Sequence, residues 1–85
     1  VSQESSIQVL YFAAARRAVG SGEEQIPFRA GMTARDVLTR CIEGHPELGP
    51  MANSMLVAVN EQWVPLDTVL EGGAVVALMP PVSGG

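Results

Sequence analysis

The chain has no lysine. Its five basic residues are all arginine, set against nine carboxylates, and the formal net charge is −4. That balance excludes nucleic acid as the main partner, because neutralising phosphates needs a basic face, and it suits docking onto a basic protein surface. An activated acyl group carried by this chain would find no side-chain amine on it. A single cysteine, Cys41, excludes an internal disulfide. Lying between Leu38 and Ile42 on an expected helix face, it reads as a buried, inert core residue. One histidine, His45, with no second soft ligand excludes a zinc site. It precedes Pro46 at a helix end, where a solvated or capping role is expected. No apolar run approaches the ~20 residues of a membrane span, so no membrane partner is expected. Val1–Ser6 is polar, without the basic-then-apolar pattern of a signal peptide, and a cytoplasmic location is expected. Carboxylates are scattered and no phosphate-binding loop is present. Catalytic groups are therefore expected on partners, not on this chain.

What remains is one small domain, 85 residues long and 47% hydrophobic. Ile7–Phe12 reads as a strand, rich in β-branched and aromatic residues, with Ile7, Val9 and Tyr11 on one face and Leu10 and Phe12 on the other. Residues 13–19 have high helix propensity and stop at Gly20-Ser21-Gly22. A second strand is expected over Glu24–Arg29; Pro27, which has no N–H, favours a sheet edge there. Thr33 and Asp36 form a capping-box start, followed by the apolar stripe Val37, Leu38, Cys41, Ile42 of the main helix. Pro46–Ser54 reads as a loop with at most a short helical turn. Met55–Val59 is a buried strand, Asn60-Glu61-Gln62 a turn and Trp63–Pro65 a short strand. Asp67–Leu70 reads as a single helical turn and Ala74–Met79 as the last strand. Pro80-Pro81 stops the sheet.

This order predicts an α+β domain: a mixed four- to five-stranded sheet with one main helix on one face. If that helix covers Ile7, Val9 and Tyr11, then Leu10, Phe12, Trp63 and Met79 face outward. One-sided apolar exposure of this kind marks a partner interface.

The ending, Pro80-Pro81-Val82-Ser83-Gly84-Gly85, carries the most information. Two glycines without Cβ atoms can thread a narrow channel, and Gly85 would present an unhindered carboxylate. The two prolines stiffen the first part of such a tail, which lowers the cost of ordering it on insertion.

Three segments, VLYFAAARRAVG, LVAVNEQWV and LEGGAVVALMPPVSGG, resemble the MoaD-type sulfur-carrying small subunits of molybdopterin synthase, in the ubiquitin-like MoaD/ThiS family. The likeness spans Ile7–Gly85, with PPVSGG its most specific piece. The resemblance implies a ubiquitin-like β-grasp fold over residues 7–79, an N-terminal extension over 1–6 and a flexible C-terminal tail over 80–85. It implies that Gly85 is adenylated by a ubiquitin-activating-type adenylyltransferase using ATP, then carries sulfur as a thiocarboxylate, with no cofactor bound to the chain itself. It further implies that Pro80, Pro81, Val82, Ser83 and Gly84 insert with Gly85 into the synthase large subunit, in a heterotetramer of two small and two large subunits. Sulfur would there pass to a pterin precursor of molybdopterin.

Two positions depart from the family pattern. Glu71-Gly72-Gly73-Ala74 lacks two acidic residues common in that turn, and Arg17 stands where an acidic residue commonly follows the arginine. Other readings of the same residues are a sulfur carrier for thiamine or cysteine synthesis, a ubiquitin-like protein modifier, and a plain β-grasp interaction module.

Overall fold

The computed structural model describes residues 6–81. Five strands form one mixed sheet: β1 (Ser6–Tyr11), β2 (Glu23–Pro27), β3 (Leu56–Val59), β4 (Gln62–Trp63) and β5 (Val75–Met79), in the spatial order β2-β1-β5-β3-β4. The two central strands, β1 and β5, run parallel, with Val9 opposite Val76 and Tyr11 opposite Leu78; the other pairings are antiparallel. The helices are α1 (Ala13–Val19) and α2 (Ala34–Gly44). This is the β-grasp arrangement, α+β in two layers.

Period-two alternation sorts the sheet into two faces. Ile7, Val9, Tyr11, Ile26, Val57, Val76 and Leu78 are buried and share one core with Val37, Leu38 and Cys41 of α2. Helix α2 starts where the sequence places it. Thr33 Oγ1 accepts from the Asp36 N–H at 3.2 Å, and Asp36 Oδ2 accepts from the Thr33 N–H at 2.9 Å. The segment expected as a helical turn over Asp67–Leu70 instead forms a turn and an isolated bridge, Thr33 to Val69. Its carbonyls serve α2: Ala34 N–H donates to Thr68 O and Arg35 N–H to Leu66 O. With the capping box, the first three N–H groups of the helix are thus occupied, and a helical turn at 67–70 would leave two of them without partners.

Pro46–Ser54 is a 3-10 helix, not a loop, and fully buried Leu48 anchors it to the core. Strand β2 is shifted one residue toward the amino end relative to the expected Glu24 start and stops at Pro27. It is an edge strand, as Pro27 requires. The Tyr11 N–H donates to Gly22 O, which extends the β1–β2 register and makes Val9–Glu24 and Ile7–Ile26 the hydrogen-bonded pairs. The backbones of Glu23, Gln25 and Pro27 therefore point outward. Glu23 turns its N–H and carbonyl to the Ser21 hydroxyl, and Pro27 has no N–H to offer. Little of that edge is left to pair with another strand.

Candidate docking face and tail exit

Among the described residues, no helix lies over the face of the sheet turned away from α2. Register places Leu10, Ala77, Ala58 and Trp63 in one row across four strands, and Leu56 beside Met79 in the next. Trp63 is 61% exposed, Leu56 50% and Phe12 39%; Leu10 and Met79 are half-buried. Small alanines in the middle of the row and larger side chains around it leave a groove of about 490 Å³, lined by Leu10, Phe12, Asn60, Glu61, Val75 and Ala77. Leu10, Phe12, Trp63 and Met79, assigned to an outward face from the sequence, therefore share one surface.

Because β1 and β5 are parallel neighbours, Phe12 and Pro80 emerge at the same end of the sheet, and the Phe12 N–H donates to Leu78 O at 3.2 Å. The chain leaves the domain from a central strand, at the border of the apolar face. Pro80 is buried and Pro81 exposed, so the first residue assigned to the tail packs against the body. Val82, Ser83, Gly84 and Gly85 lie outside the described residues.

One wall of the groove is the β3–β4 turn. With Val59 opposite Gln62, the loop has two residues, Asn60 and Glu61, with φ of 50° and 72°. That is the primed turn that suits the twist of a hairpin; Gln62, expected in the turn, belongs to β4. The turn is fastened to β5 in both directions: the Asn60 N–H donates to Val75 O at 2.8 Å, and the Val75 N–H donates to Asn60 Oδ1 at 3.0 Å. Nothing in the local sequence signals this fastening, because Asn60 and Val75 are fifteen residues apart.

A second group of polar side chains, Tyr11, Glu24 and His45, lies on the core side of the sheet. Glu24 Oε1 accepts from the Tyr11 hydroxyl at 2.7 Å and lies 2.8 Å from His45 Nε2. The His45 ring meets Tyr11 edge-on, with centroids 6.0 Å apart. His45 caps α2, its N–H donating to Cys41 O at 2.8 Å. Of the solvated or capping role expected for it, the capping one is found, and its ring is partly buried and paired with Glu24. The Tyr11 bond holds the Glu24 carboxyl below the usual carboxylate range. Burial first, then Cys41 and Glu24, push the Tyr11 hydroxyl well above its ordinary value. Burial likewise pushes the Cys41 thiol up, so it is an inert core group.

A smaller depression of about 360 Å³ beside α2 is lined by Arg29, Asp36, Arg40 and Glu43 among others. Two guanidiniums and two carboxylates give it no net sign, and the nearby helix terminus is already satisfied. The apolar face with its adjoining tail exit is thus the stronger candidate.

The sequence pattern described as the ThiS family matches residues 9–85. The chain belongs to the ThiS family. Among ThiS-type relatives it is 37% identical over 81 residues to the molybdopterin synthase sulfur carrier subunit of Chlamydomonas reinhardtii, covering 93% of this chain and 98% of the relative. SAMP1 from Haloferax volcanii superposes with a TM-score of 0.84 at 26% identity, covering 94% of this chain and 99% of its own. Subunit 1 in the complex of subunits 1 and 2 of the Helicobacter pylori molybdopterin-converting factor superposes at 0.63 and 23% identity, covering 94% and 99%. A ubiquitin from Caldiarchaeum subterraneum does so at 0.65 and 10%, covering 98% and 100%. The last two likenesses show the fold alone, which is ubiquitin-like.

Proposed function

We propose that this ThiS-family chain is the sulfur carrier subunit of a molybdopterin synthase. The observation that carries the reading is the near-full-length match to the Chlamydomonas reinhardtii sulfur carrier subunit, which spans 98% of that relative. The exit of the chain beside an uncovered apolar face supports it.

The chemistry follows from the carboxylate. A terminal carboxyl ionises at about 3.3–3.7, so near neutral pH it is an anion and a poor electrophile. Attack of one carboxylate oxygen on the α-phosphate of ATP expels pyrophosphate and leaves an acyl adenylate. A hydrosulfide-level sulfur then displaces AMP, and Gly85 becomes a thiocarboxylate. The sulfur is an anion carried on a glycine with no Cβ to obstruct it, and one difficult transfer is split into easier steps. Five residues, Pro81–Gly85, reach at most about 17 Å, enough to enter the active site of a large subunit docked on the Phe12 and Trp63 face. In the Helicobacter pylori factor, subunit 1 is found in complex with subunit 2; a heterotetramer with two copies of each subunit is the assembly proposed here. Activation belongs to a ubiquitin-activating-type adenylyltransferase, and the catalytic groups belong to the partners.

Intact mass after incubation with such an adenylyltransferase, ATP and a sulfur source tests the activation step. Replacement of one oxygen by sulfur, abolished by deleting Gly85, supports it. An unchanged mass beside a control carrier that is modified in the same tube contradicts it.

A second reading has a specific observation in its favour, the likeness to the small archaeal modifier protein SAMP1. As a modifier, the chain would be joined through Gly85 to amines of other proteins. With no lysine, it could not be its own side-chain acceptor. Conjugates of raised mass that depend on Gly85 would favour this reading over the first.

A further inference from the structure

We propose that the groove walled by Glu61 receives one apolar side chain of the protein into which the tail is delivered, with an arginine or lysine of that partner pairing to Glu61. This rests on the reading of the chain as a carrier that docks while its tail is inserted. Three observations lead to it.

The first is strain. Among the described residues only Ala13, Asn60 and Glu61 are non-glycine residues with positive φ, at 54°, 50° and 72°. Two of the three, Asn60 and Glu61, line this groove. At the second position of a primed hairpin turn glycine is the favoured residue, and here it is a glutamate. Asparagine suits the first position of such a turn, so the disfavoured conformation falls on Glu61, and it points to a function for that side chain.

The second is charge. The five arginines lie in α1 (Arg16, Arg17), ahead of α2 (Arg29) and on α2 (Arg35, Arg40), and none lines the groove. Glu61 makes no ion pair among the described residues. Glu23, opposite Leu10 on the same face, already accepts a bond from Gln8 Nε2 at 3.2 Å. Glu61 is thus the carboxylate at the groove left to meet a cation from outside.

The third is rigidity. The paired Asn60–Val75 hydrogen bonds hold the Glu61 backbone against β5, so little ordering is needed when a partner arrives. An apolar floor of Ala77 and Val75 beside one carboxylate on a fastened turn matches an apolar residue neighboured by a guanidinium or ammonium.

The test is binding of the full chain to a recombinant molybdopterin synthase large subunit, at about 0.05 M and about 0.5 M salt. Glu61→Gln is expected to weaken binding roughly five- to tenfold at low salt, with the gap to wild type closing at high salt. Ala77→Leu, which fills the floor, is expected to weaken binding at least about tenfold at both salts, with thermal unfolding of each variant recorded to confirm folding. If Trp63→Ala weakens binding but Glu61→Gln is neutral at both salts, the inference fails and the carrier reading stands. If the wild-type chain does not bind the large subunit at all, the carrier reading fails and the inference with it. If sedimentation shows a wild-type dimer that Glu61→Arg abolishes, the occupant is a second copy of this chain and the proposal is overturned.

Discussion

The Tyr11 hydroxyl donates to Glu24 Oε1 at 2.7 Å, and that oxygen also meets His45 Nε2 at 2.8 Å. One carboxylate therefore ties β1, β2 and the end of α2 together. Because the Tyr11 bond is the chief reason the Glu24 carboxyl is held low, its stabilisation is present above the ordinary carboxylate range. It is lost as pH falls through the depressed folded value. Tyr11→Phe is expected to cost about 1 kcal/mol near neutral pH, from the lost hydrogen bond. Without that bond Glu24 titrates closer to its unfolded value, so the difference should shrink below about pH 4, where the wild-type carboxylate becomes protonated. Urea unfolding of both proteins across this range checks it; a difference constant with pH contradicts it.

Glu61→Gly should raise stability. The φ of 72° at Glu61 is free for glycine and disfavoured for any residue with a Cβ, whereas glycine adds entropy to the unfolded chain; the balance is about 0.5–1 kcal/mol in favour of the variant. A lower denaturation midpoint would show that the glutamate is supported by contacts in the free protein.

Trp63→Ala separates docking from folding. With 61% of the residue exposed, its removal should change unfolding free energy by less than about 0.5 kcal/mol. As an exposed aromatic anchor of the proposed interface, it should on removal weaken binding of a synthase large subunit by at least about tenfold. A variant that binds as wild type does would move the interface elsewhere.

The Cys41 thiol, 2% exposed and pushed up by burial, should react with a thiol reagent only as fast as the chain unfolds. Rapid labelling of the native protein would contradict its place in the core.

Much of this fold was legible in the sequence. The alternation Ile7, Val9, Tyr11 assigned the core face of β1, Pro27 predicted an edge, and Thr33 with Asp36 predicted the start of α2. These signals are local, each confined to a few residues. Pro46–Ser54 lacks an apolar stripe and holds internal Pro50, so its 3-10 winding, anchored by Leu48, had no periodic signal. The 67–70 segment takes its form from the N–H groups of a helix thirty residues earlier in the chain. The Tyr11–Glu24–His45 group and the Asn60–Val75 pair join residues at least thirteen apart, and such pairings follow from strand order, which composition and spacing do not specify. The apolar outward face was legible, because alternation on β1 leaves Leu10 and Phe12 opposite the core. Its groove was not, because that depends on Ala58 and Ala77 falling into register between larger neighbours.

The most direct test of the account is reconstitution. Chain bearing a C-terminal thiocarboxylate is mixed with a molybdopterin synthase large subunit and the pterin precursor, and molybdopterin is measured. The account predicts product in proportion to thiocarboxylate consumed, with none from chain lacking Gly85. An intact thiocarboxylate and no product, in the presence of a large subunit active with its own carrier, would contradict it.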